Sequence, residues 1–189
     1  MSADQLRNLI EAASRIVIFT GAGISTESGI PDFRSPGGVW DKFKPIYFQD
    51  FMDSEEMRRE TWRRKIETDK TIVKAEPNRG HRAVEKLVRI GKCSTVITQN
   101  IDGLHQASGV PDERVIELHG NSTYASCLDC GERHELAEIL KPFEKDETLP
   151  ECKNCGSIHV KTATVSFGQQ MPEDAMRAAE IETMACDLM

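Results

Sequence analysis

The chain has 189 residues, of which 24 are Lys or Arg and 31 are Asp or Glu, so its formal net charge at pH 7 is −7. Such an acidic chain argues against direct binding of nucleic acid, because duplex binders normally carry a basic face. Its first residues alternate charged and apolar side chains, and no apolar run approaches the roughly 20 residues that span a bilayer. We expect a cytoplasmic protein without membrane contact, although a nuclear location stays open, with one domain and one small additional module.

The first elements are a helix and a buried strand. Ser2 to Gln5 resembles a capping box that begins the helix, and the strand is the β-branched apolar run from Ile16. This run ends in Thr20-Gly21-Ala22-Gly23, which is typical of a parallel strand that turns into a phosphate-binding loop, where glycine lets the backbone approach a pyrophosphate. The signal is weak by itself, because Thr26 replaces the third glycine of G-x-G-x-x-G and an ordinary strand-to-helix turn explains it equally well.

The next segment is a polar loop followed by a helical region. Residues 31–35 read Pro-Asp-Phe-Arg-Ser, which is too polar and too rich in breakers for a core. Residues 39–77 have a helical pattern and concentrate the aromatic side chains, which suits a small cap, although a plain core role explains each aromatic equally well. The basic cluster at residues 58–65 is interrupted by acidic residues, which predicts a solvated helix face.

Two further strands end in polar motifs. Asn78 is a candidate cap for a helix that Gly91 closes, and a second strand follows at Thr95–Thr98. Gln99-Asn100 follows this strand, and His119-Gly120 follows a third strand at Val115–Leu118. Because ligands of open parallel sheets bind at the carboxyl ends of the strands, we expect these motifs and the Gly21 loop to meet in one crevice.

Four cysteines form two matching knuckles. Cys127-Leu-Asp-Cys130-Gly and Cys152-Lys-Asn-Cys155-Gly are separated by 21 residues. Two such pairs supply the four thiolates of a tetrahedral structural zinc site, whereas a redox role is the alternative for a single pair. Four protein ligands leave no position for water or substrate, so we expect one structural zinc. The single residues Cys93 and Cys186 lie beside apolar runs and are expected in the core.

The remaining elements are a strand at 162–167, a helix from Pro172 to about Met184 and the start of an apolar run at 186–189. The predicted fold is α/β: a Rossmann-like parallel sheet, first half only, with a helical cap and an inserted zinc-binding module. The predicted boundaries are 1–38 and 78–122 with 161–189 for the nucleotide-binding domain, 39–77 for the cap and 123–160 for the four-cysteine zinc module.

Four motifs carry a resemblance to a known family. GAGISTESGIPDFRS from Gly21, TQNIDGLHQASG at 98–109, ELHGN at 117–121 and the two cysteine knuckles resemble, in this order, the sirtuins. Sirtuins are NAD-dependent protein deacylases. The resemblance implies that the acetyl-lysine carbonyl oxygen displaces nicotinamide from the ribose, and that the acetyl group passes to ADP-ribose.

The resemblance also implies roles for single residues. His119 matches the general base, although a lone histidine after a strand is more often structural. The residues that match cofactor contacts are Gly21, Ala22, Gly23, Ser25, Asp32, Phe33, Arg34, Gln99, Asn100, Ile101 and Asp102. Among them Phe33 matches the aromatic that shields the anomeric carbon, and Asn100 with Asp102 matches the nicotinamide pocket. An N-cap for the following helix is the alternative for Asp102, and both roles can hold at once.

The substrate contacts implied by the resemblance lie near the C-terminus. Val165, Phe167 and Gly168 resemble the edge on which sirtuins bind the acetylated lysine peptide as an added strand. The sequence departs from the family here, because Gln169 replaces a common glutamate and Thr162 a common proline. Trp62-Arg63-Arg64-Lys65 lacks the tyrosine of the Tyr-x-x-Arg pair of sirtuins that prefer acidic acyl groups, which favours uncharged acyl substrates.

The sequence departs from the family again at its end. Sirtuins continue past the position of Met189 with a loop rich in Gly and Ser and further strands that hold the adenosine, so we expect these 189 residues alone to bind NAD weakly and to turn over little. The leading hypothesis is an NAD-dependent protein-lysine deacetylase. The alternatives are a mono-ADP-ribosyltransferase, since another nucleophile can capture the same sugar, and a non-catalytic zinc-bearing fragment.

Overall fold

The computed structural model describes residues 2–32 and 44–189. The contacts group the described residues into two units. The parallel-sheet unit contains residues 2–32, 75–119 and 171–189, and the antiparallel-sheet unit contains residues 44–74 and 120–170. Each unit is built around its own three-stranded sheet.

The parallel-sheet unit has the strand order β1-β2-β3, with β1 at Ile16–Thr20, β2 at Cys93–Thr98 and β3 at Val115–Glu117. All three strands are parallel, and their carboxyl ends align, because Thr20 lies opposite Thr98 and Thr98 lies opposite Glu117. The α/β prediction is confirmed. The strand β2 begins two residues earlier than the sequence predicts, at Cys93, and β3 ends one residue earlier, at Glu117.

Two helices of this unit begin at side-chain caps that the sequence supplies. The bounds of the α-helices are Ala3–Ala12 for α1, Arg79–Arg89 for α4, Leu104–Ala107 for α5 and Glu173–Ala185 for α7. Short 3-10 helices lie at Ala22–Ser28 and Asp112–Arg114. Ser2 forms a capping box with Gln5 at the start of α1, and the Asn78 side chain accepts hydrogen bonds from the N–H groups of Gly80 and His81 at the start of α4.

Each face of the parallel sheet packs against a helix. On one face Val96 packs with Val84 of α4, and on the other Ile97 packs with Ala179 of α7. Cys93 is buried in the first cluster, so its predicted place in the core is confirmed, whereas Cys186 is only half-buried and packs against the second cluster from its rim. The apolar run at 186–189 begins to extend the sheet, because Leu188 forms a parallel bridge with Ile16.

The antiparallel-sheet unit has the strand order β5-β4-β6. Its strands are Gly120–Cys127 for β4, Arg133–His134 for β5 and Val160–Thr164 for β6. Its helices are Phe48–Asp53 for α2, Glu55–Ile72 for α3 and Leu136–Asp146 for α6. Trp62 of α3 is fully buried in a core that also contains Ala125, Phe143 and Val160.

The strand near residue 162 differs from the sequence prediction. The sequence places residues 161–189 with the nucleotide-binding sheet, whereas β6 pairs antiparallel with β4, with Lys161 opposite Ser126 and Val160 opposite Cys127. The physical reason is that the apolar pattern of a short strand does not say which partner the strand will choose. The three predicted domain boundaries otherwise stay a prediction.

The basic cluster of α3 is only partly a surface feature. Arg58 is 7% exposed, and its guanidinium donates to the carbonyl oxygens of Phe51 and Met52 at the end of α2. Lys65 is also buried and pairs with Asp69. The prediction of a solvated face is wrong for Arg58 and Lys65, because helical spacing puts both on the face that buries Trp62.

Gly120 is the residue of the antiparallel-sheet unit that tolerates a side chain least. Its φ is +73°, and a Cβ atom at this position would lie 2.0 Å from the carbonyl oxygen of Ala163. We expect Gly120→Ala to destabilise the unit by at least about 2 kcal/mol, since the left-handed backbone and the displacement of β6 add up. Thermal unfolding measures the effect, with Gly156→Ala as control because its positive φ faces open space. Equal melting temperatures for the two variants would contradict the expectation.

None of the helices in residues 2–32 and 44–189 combines the length and the apolar character needed to cross a membrane.

Candidate nucleotide site and metal centre

The polar motifs of the parallel-sheet unit meet where its strands end. The N–H of Gln99 donates to Thr20 O at 3.0 Å, and the N–H of Leu118 donates to Thr98 O at 2.9 Å. These bonds continue the strand ladder one residue past the ends of β2 and β3. The segments after β1, β2 and β3 are therefore brought to one edge of the sheet, as the motif positions predict.

Ser25, Asn100 and Asp102 form a connected polar group at this edge. Ser25 is 1% exposed, and its hydroxyl donates to Asp102 Oδ2 at 2.7 Å. The Asn100 amide donates to Ser25 Oγ and to Gly21 O, both at 3.1 Å. An amide beside a carboxylate offers the donors and acceptors that a neutral carboxamide ligand needs. Asp102 Oδ1 also accepts from the N–H of Leu104, the first residue of α5, at 2.9 Å, whereas the N-cap position predicted for Asp102 is occupied by Gly103.

The loop after β1 leaves room for a ligand. Gly23 is exposed, and a Cβ atom there would meet nothing within 4 Å. At Gly21 the Cβ would come within 3.8 Å of Gln99 Oε1, which places the Gln99 side chain beside this loop. Ala22, Asp32 and Ile101 are half-buried in the same unit. Phe33 and Arg34, which the resemblance assigns to the cofactor, lie outside the described residues.

His119 follows β3 with one ring nitrogen fixed. Its Nδ1 lies 2.9 Å from the carbonyl oxygen of Gln99. A carbonyl oxygen only accepts hydrogen bonds, so Nδ1 carries the proton and the lone pair of the neutral ring is on Nε2. This is the tautomer that a general base acting through Nε2 requires. The half-buried ring is thus held by the same segment that carries Gln99 and Asn100.

Four buried residues behind this edge were missed by the sequence analysis. Thr20 Oγ1 donates to Thr98 Oγ1 at 2.9 Å, and Thr98 Oγ1 accepts from the N–H of Asn100 at 3.0 Å. The Nε2 of His105 lies 2.9 Å from Thr20 Oγ1, and its ring meets that of His81 edge-on with centroids 5.0 Å apart. This series of hydrogen-bonded side chains supports the backbone of Asn100 from the buried side of the sheet edge. No single motif contains all four residues, because they come from three separate segments.

Burial makes His105 harder to protonate than an exposed histidine. Burial, together with the neighbouring His81 and against an opposing effect of Asp102, lowers the pKa of His105 to about 4. The pKa of His81 is also lowered by burial. Since the unfolded ring titrates near 6.5, the unfolded state binds the proton first as the pH falls.

We expect the free energy of unfolding to fall as the pH drops from 6.5 to about 4, with His105 contributing up to about 3 kcal/mol of the loss. His105→Gln should remove this contribution, which denaturant unfolding at a series of pH values measures as a flatter profile. Thr20→Val is the control, because it removes the hydrogen bond and no titrating group. An unchanged profile in His105→Gln would contradict the expectation.

The four knuckle cysteines of the antiparallel-sheet unit lie together. Their sulfur atoms are all within 4.8 Å of one another, and the pairs Cys127–Cys155 and Cys130–Cys152 are 3.6 Å apart. Tetrahedral zinc with bonds of about 2.3 Å requires sulfur atoms about 3.8 Å apart, so the four thiols fit one zinc ion. Each knuckle closes with a glycine N–H that donates to the carbonyl of its first cysteine, and Gly131 and Gly156 have φ of +77° and +75°.

The protonation of the cluster also suits a metal. Although burial raises the pKa of Cys127, backbone N–H groups of Cys130 and Asp129 and the neighbouring thiols lower it to about 6. The backbone N–H of Ser157 lowers the pKa of Cys155, but crowding by the other thiols raises it to about 12. The thiol of Cys127 therefore loses its proton easily, whereas the thiol of Cys155 keeps its proton when no cation is present. A divalent metal ion stabilises the thiolates and so favours the loss of both protons.

The predicted substrate edge follows β6. Phe167 is 49% exposed, its ring centroid is 6.3 Å from that of Tyr47, and its carbonyl accepts from the N–H of Phe48 at 2.8 Å. Val165 is half-buried and Gly168 is exposed. Gln169 closes a turn, because its N–H donates to Ser166 O and its Oε1 accepts from the N–H of Ser166, both at 3.0 Å.

A parallel sheet with polar groups at its strand ends, together with a four-cysteine centre, defines a nucleotide-binding α/β protein with a structural zinc site. A sequence profile of the Sir2 family matches residues 21–189. The NAD-dependent protein deacetylase of Rhodopseudomonas palustris is 54% identical over 185 residues, which cover 98% of this chain and 73% of that protein. The chain belongs to the Sir2 family.

Two solved structures extend the likeness to the fold. A structure described as Sir2 with a p53 peptide and NAD+ has a TM-score of 0.84 and 34% identity, over 100% of this chain and 74% of that chain. A second, with a deacetylated p53 peptide and 3'-O-acetyl ADP-ribose, has a TM-score of 0.87 and 34% identity, over 100% of this chain and 75% of that chain. The sirtuin resemblance and the expected fold are confirmed.

Proposed function

We propose that the protein is an NAD-dependent protein-lysine deacetylase that transfers the acetyl group of an acetylated lysine to ADP-ribose and releases nicotinamide. The observation that carries the proposal is the fixed tautomer of His119, whose Nδ1 is 2.9 Å from Gln99 O, on the same edge as Asn100 and Asp102. Membership of the Sir2 family and the name of the Rhodopseudomonas relative support it. The same name favours deacetylation over ADP-ribosyl transfer.

NAD, when bound, supplies a ribose carbon that becomes electrophilic as nicotinamide leaves. We assign the carboxamide end to Asn100 and Asp102, because Ser25 holds the Asp102 carboxylate and the Asn100 amide in one network. The loop Gly21–Gly23 is assigned to the phosphates, since it leaves open space at Gly23. Gln99 is assigned to the ribose. The roles of Asp32, Ile101, Phe33 and Arg34 stay predictions from the resemblance.

His119 acts as general base through Nε2. A base is needed after nicotinamide has left, when a ribose hydroxyl must lose its proton to attack the acyl carbon. The neutral imidazole accepts this proton at Nε2, and the Gln99 carbonyl stabilises the resulting cation through Nδ1–H. His119 therefore contributes to the later step and not to the cleavage of the nicotinamide bond.

The protein substrate is assigned to the edge formed by Val165, Phe167 and Gly168. An extended peptide can add to such an edge through main-chain hydrogen bonds, and the exposed Phe167 ring offers it an apolar contact. An uncharged acyl group is favoured, because Arg63, Arg64 and Lys65 each already contact a carboxylate, of Glu147, Glu60 and Asp69. The cytoplasmic location and the absence of nucleic-acid and membrane partners stay predictions.

The decisive experiment follows nicotinamide release by the full-length protein. We expect release to require an acetyl-lysine peptide and to be matched by an equal amount of deacetylated peptide. The same peptide with unmodified lysine is the control and should release almost none. Release that is independent of the peptide, with ADP-ribose attached to protein, would instead support ADP-ribosyl transfer.

A further inference from the structure

The antiparallel-sheet unit contains a buried lysine whose ammonium has no carboxylate partner among the described residues. Lys161 of β6 is 2% exposed, and burial alone lowers its pKa to about 8. Among the described residues no ion pair to its ammonium is found. An isolated buried cation lowers the free energy of unfolding, so a contribution to stability does not explain why this position is a lysine.

The ammonium of Lys161 bonds to the backbone of its own strand. Its Nζ donates to Thr162 O at 3.2 Å and also to Thr164 O. Carbonyl groups alternate between the two edges of a strand, and Ala163 O faces Gly120 of β4. The carbonyls of Thr162 and Thr164 therefore point to the other edge of β6, where no strand of the described residues pairs with it.

The pairing of β6 with β4 is irregular at the same place. Ala125 lies opposite Thr162 and Gly120 opposite Thr164, so that four residues of β4 bulge out across a single residue of β6. A bulge disrupts the ladder locally and leaves the direction of the strand less well determined. Lys161 supplies the missing constraint, because one ammonium joins two carbonyls of the strand just before the substrate edge begins at Val165.

We propose that Lys161 is a positioning residue for substrate binding: its ammonium fixes the end of β6 and thereby sets where Val165, Phe167 and Gly168 present their edge to the acyl-lysine peptide. The proposal rests on the proposed function of that edge. Lys161 does not touch the reacting atoms. Its removal should therefore weaken peptide binding and leave the chemistry intact.

The test compares Lys161→Met with Lys161→Arg in the full-length protein. The methionine has a similar shape without donors, whereas the arginine keeps the charge and the donors. We expect the peptide KM of Lys161→Met to rise about tenfold, since hydrogen bonds to two carbonyls are lost, with kcat and the KM for NAD within about twofold. Lys161→Arg should stay within about threefold of the wild type. Lys145→Met is the matched control, because Lys145 is an exposed lysine of α6 in the same unit.

Direct binding of a fluorescent acetyl-lysine peptide, measured by anisotropy, separates this proposal from the proposed function. Weaker binding by Lys161→Met than by the wild type and Lys145→Met supports the positioning role even if turnover is not detected. Equal peptide binding by Lys161→Met and the wild type overturns it. A fall in kcat, zinc content and melting temperature together would also overturn it, since Lys161 would then be a residue of general stability.

Discussion

His119→Ala is expected to lose deacetylation by a factor of about 10²–10⁴ while the protein folds normally. The ring is half-buried, and within residues 2–32 and 44–189 its hydrogen bond is the one from Nδ1 to Gln99 O, so little packing is lost. The methyl group of alanine cannot accept a proton from a ribose hydroxyl. Exchange of free nicotinamide into NAD should fall less, because that reaction precedes the step that needs the base.

Two measurements on the full-length protein check this expectation. Peptide deacetylation and nicotinamide exchange are followed in parallel for His119→Ala and for Glu113→Ala, an exposed residue just before β3 that serves as control. Near-normal deacetylation by His119→Ala would remove His119 from the role of base. An equal fall of both reactions together with a lower melting temperature would assign it a structural role.

Cys127→Ala is expected to release the zinc ion and to unfold the antiparallel-sheet unit. Structural zinc sites contribute about 10–16 kcal/mol of apparent binding free energy, which is comparable to the whole stability of a domain. Cys127 and Cys152 are also members of the buried core around Trp62, so the metal joins the knuckles to that core. Losing one ligand therefore affects the packing as well as the metal.

Metal analysis and the near-ultraviolet signal of the tryptophans measure this effect. The wild type should contain one zinc ion per chain, and Cys127→Ala should contain much less. Cys186→Ala is the control, since Cys186 packs in the parallel-sheet unit and should leave the metal content unchanged. Undiminished zinc in Cys127→Ala, or no zinc in the purified wild type, would contradict the assignment.

The candidate site was predictable because its residues follow strands. Gly21, Gln99 and His119 each come directly after an apolar run, and parallel strands bring their carboxyl ends to one edge whatever the remaining packing is. The zinc site was predictable for a similar reason, since Cys-x-x-Cys spacing fixes each pair of ligands locally and only the meeting of the two pairs is left to the fold. In both cases the residues that carry the chemistry lie in short, contiguous motifs.

The partner of β6 was not predictable in the same way. Its sequence fits a strand, but strand pairing is decided by long-range contacts, and the structure pairs it with β4 and not with the parallel sheet. The burial of Arg58 and Lys65 on α3 was not predictable either. Their charge predicts exposure, whereas the neighbouring Trp62 turns that face of α3 inward and the Phe51 carbonyl takes up the guanidinium of Arg58.

The sequence by itself determined the family, the strand-end motifs, the four cysteines of the candidate metal centre and the histidine proposed as the base, because each depends on residues close together in the chain. The tertiary structure alone determined which ring nitrogen of His119 is free, how Thr20 and His105 support Asn100, and that Lys161 is buried. Hydrogen bonds between distant segments and the loss of solvent around a charged group depend on the folded arrangement, and no local pattern encodes either of them.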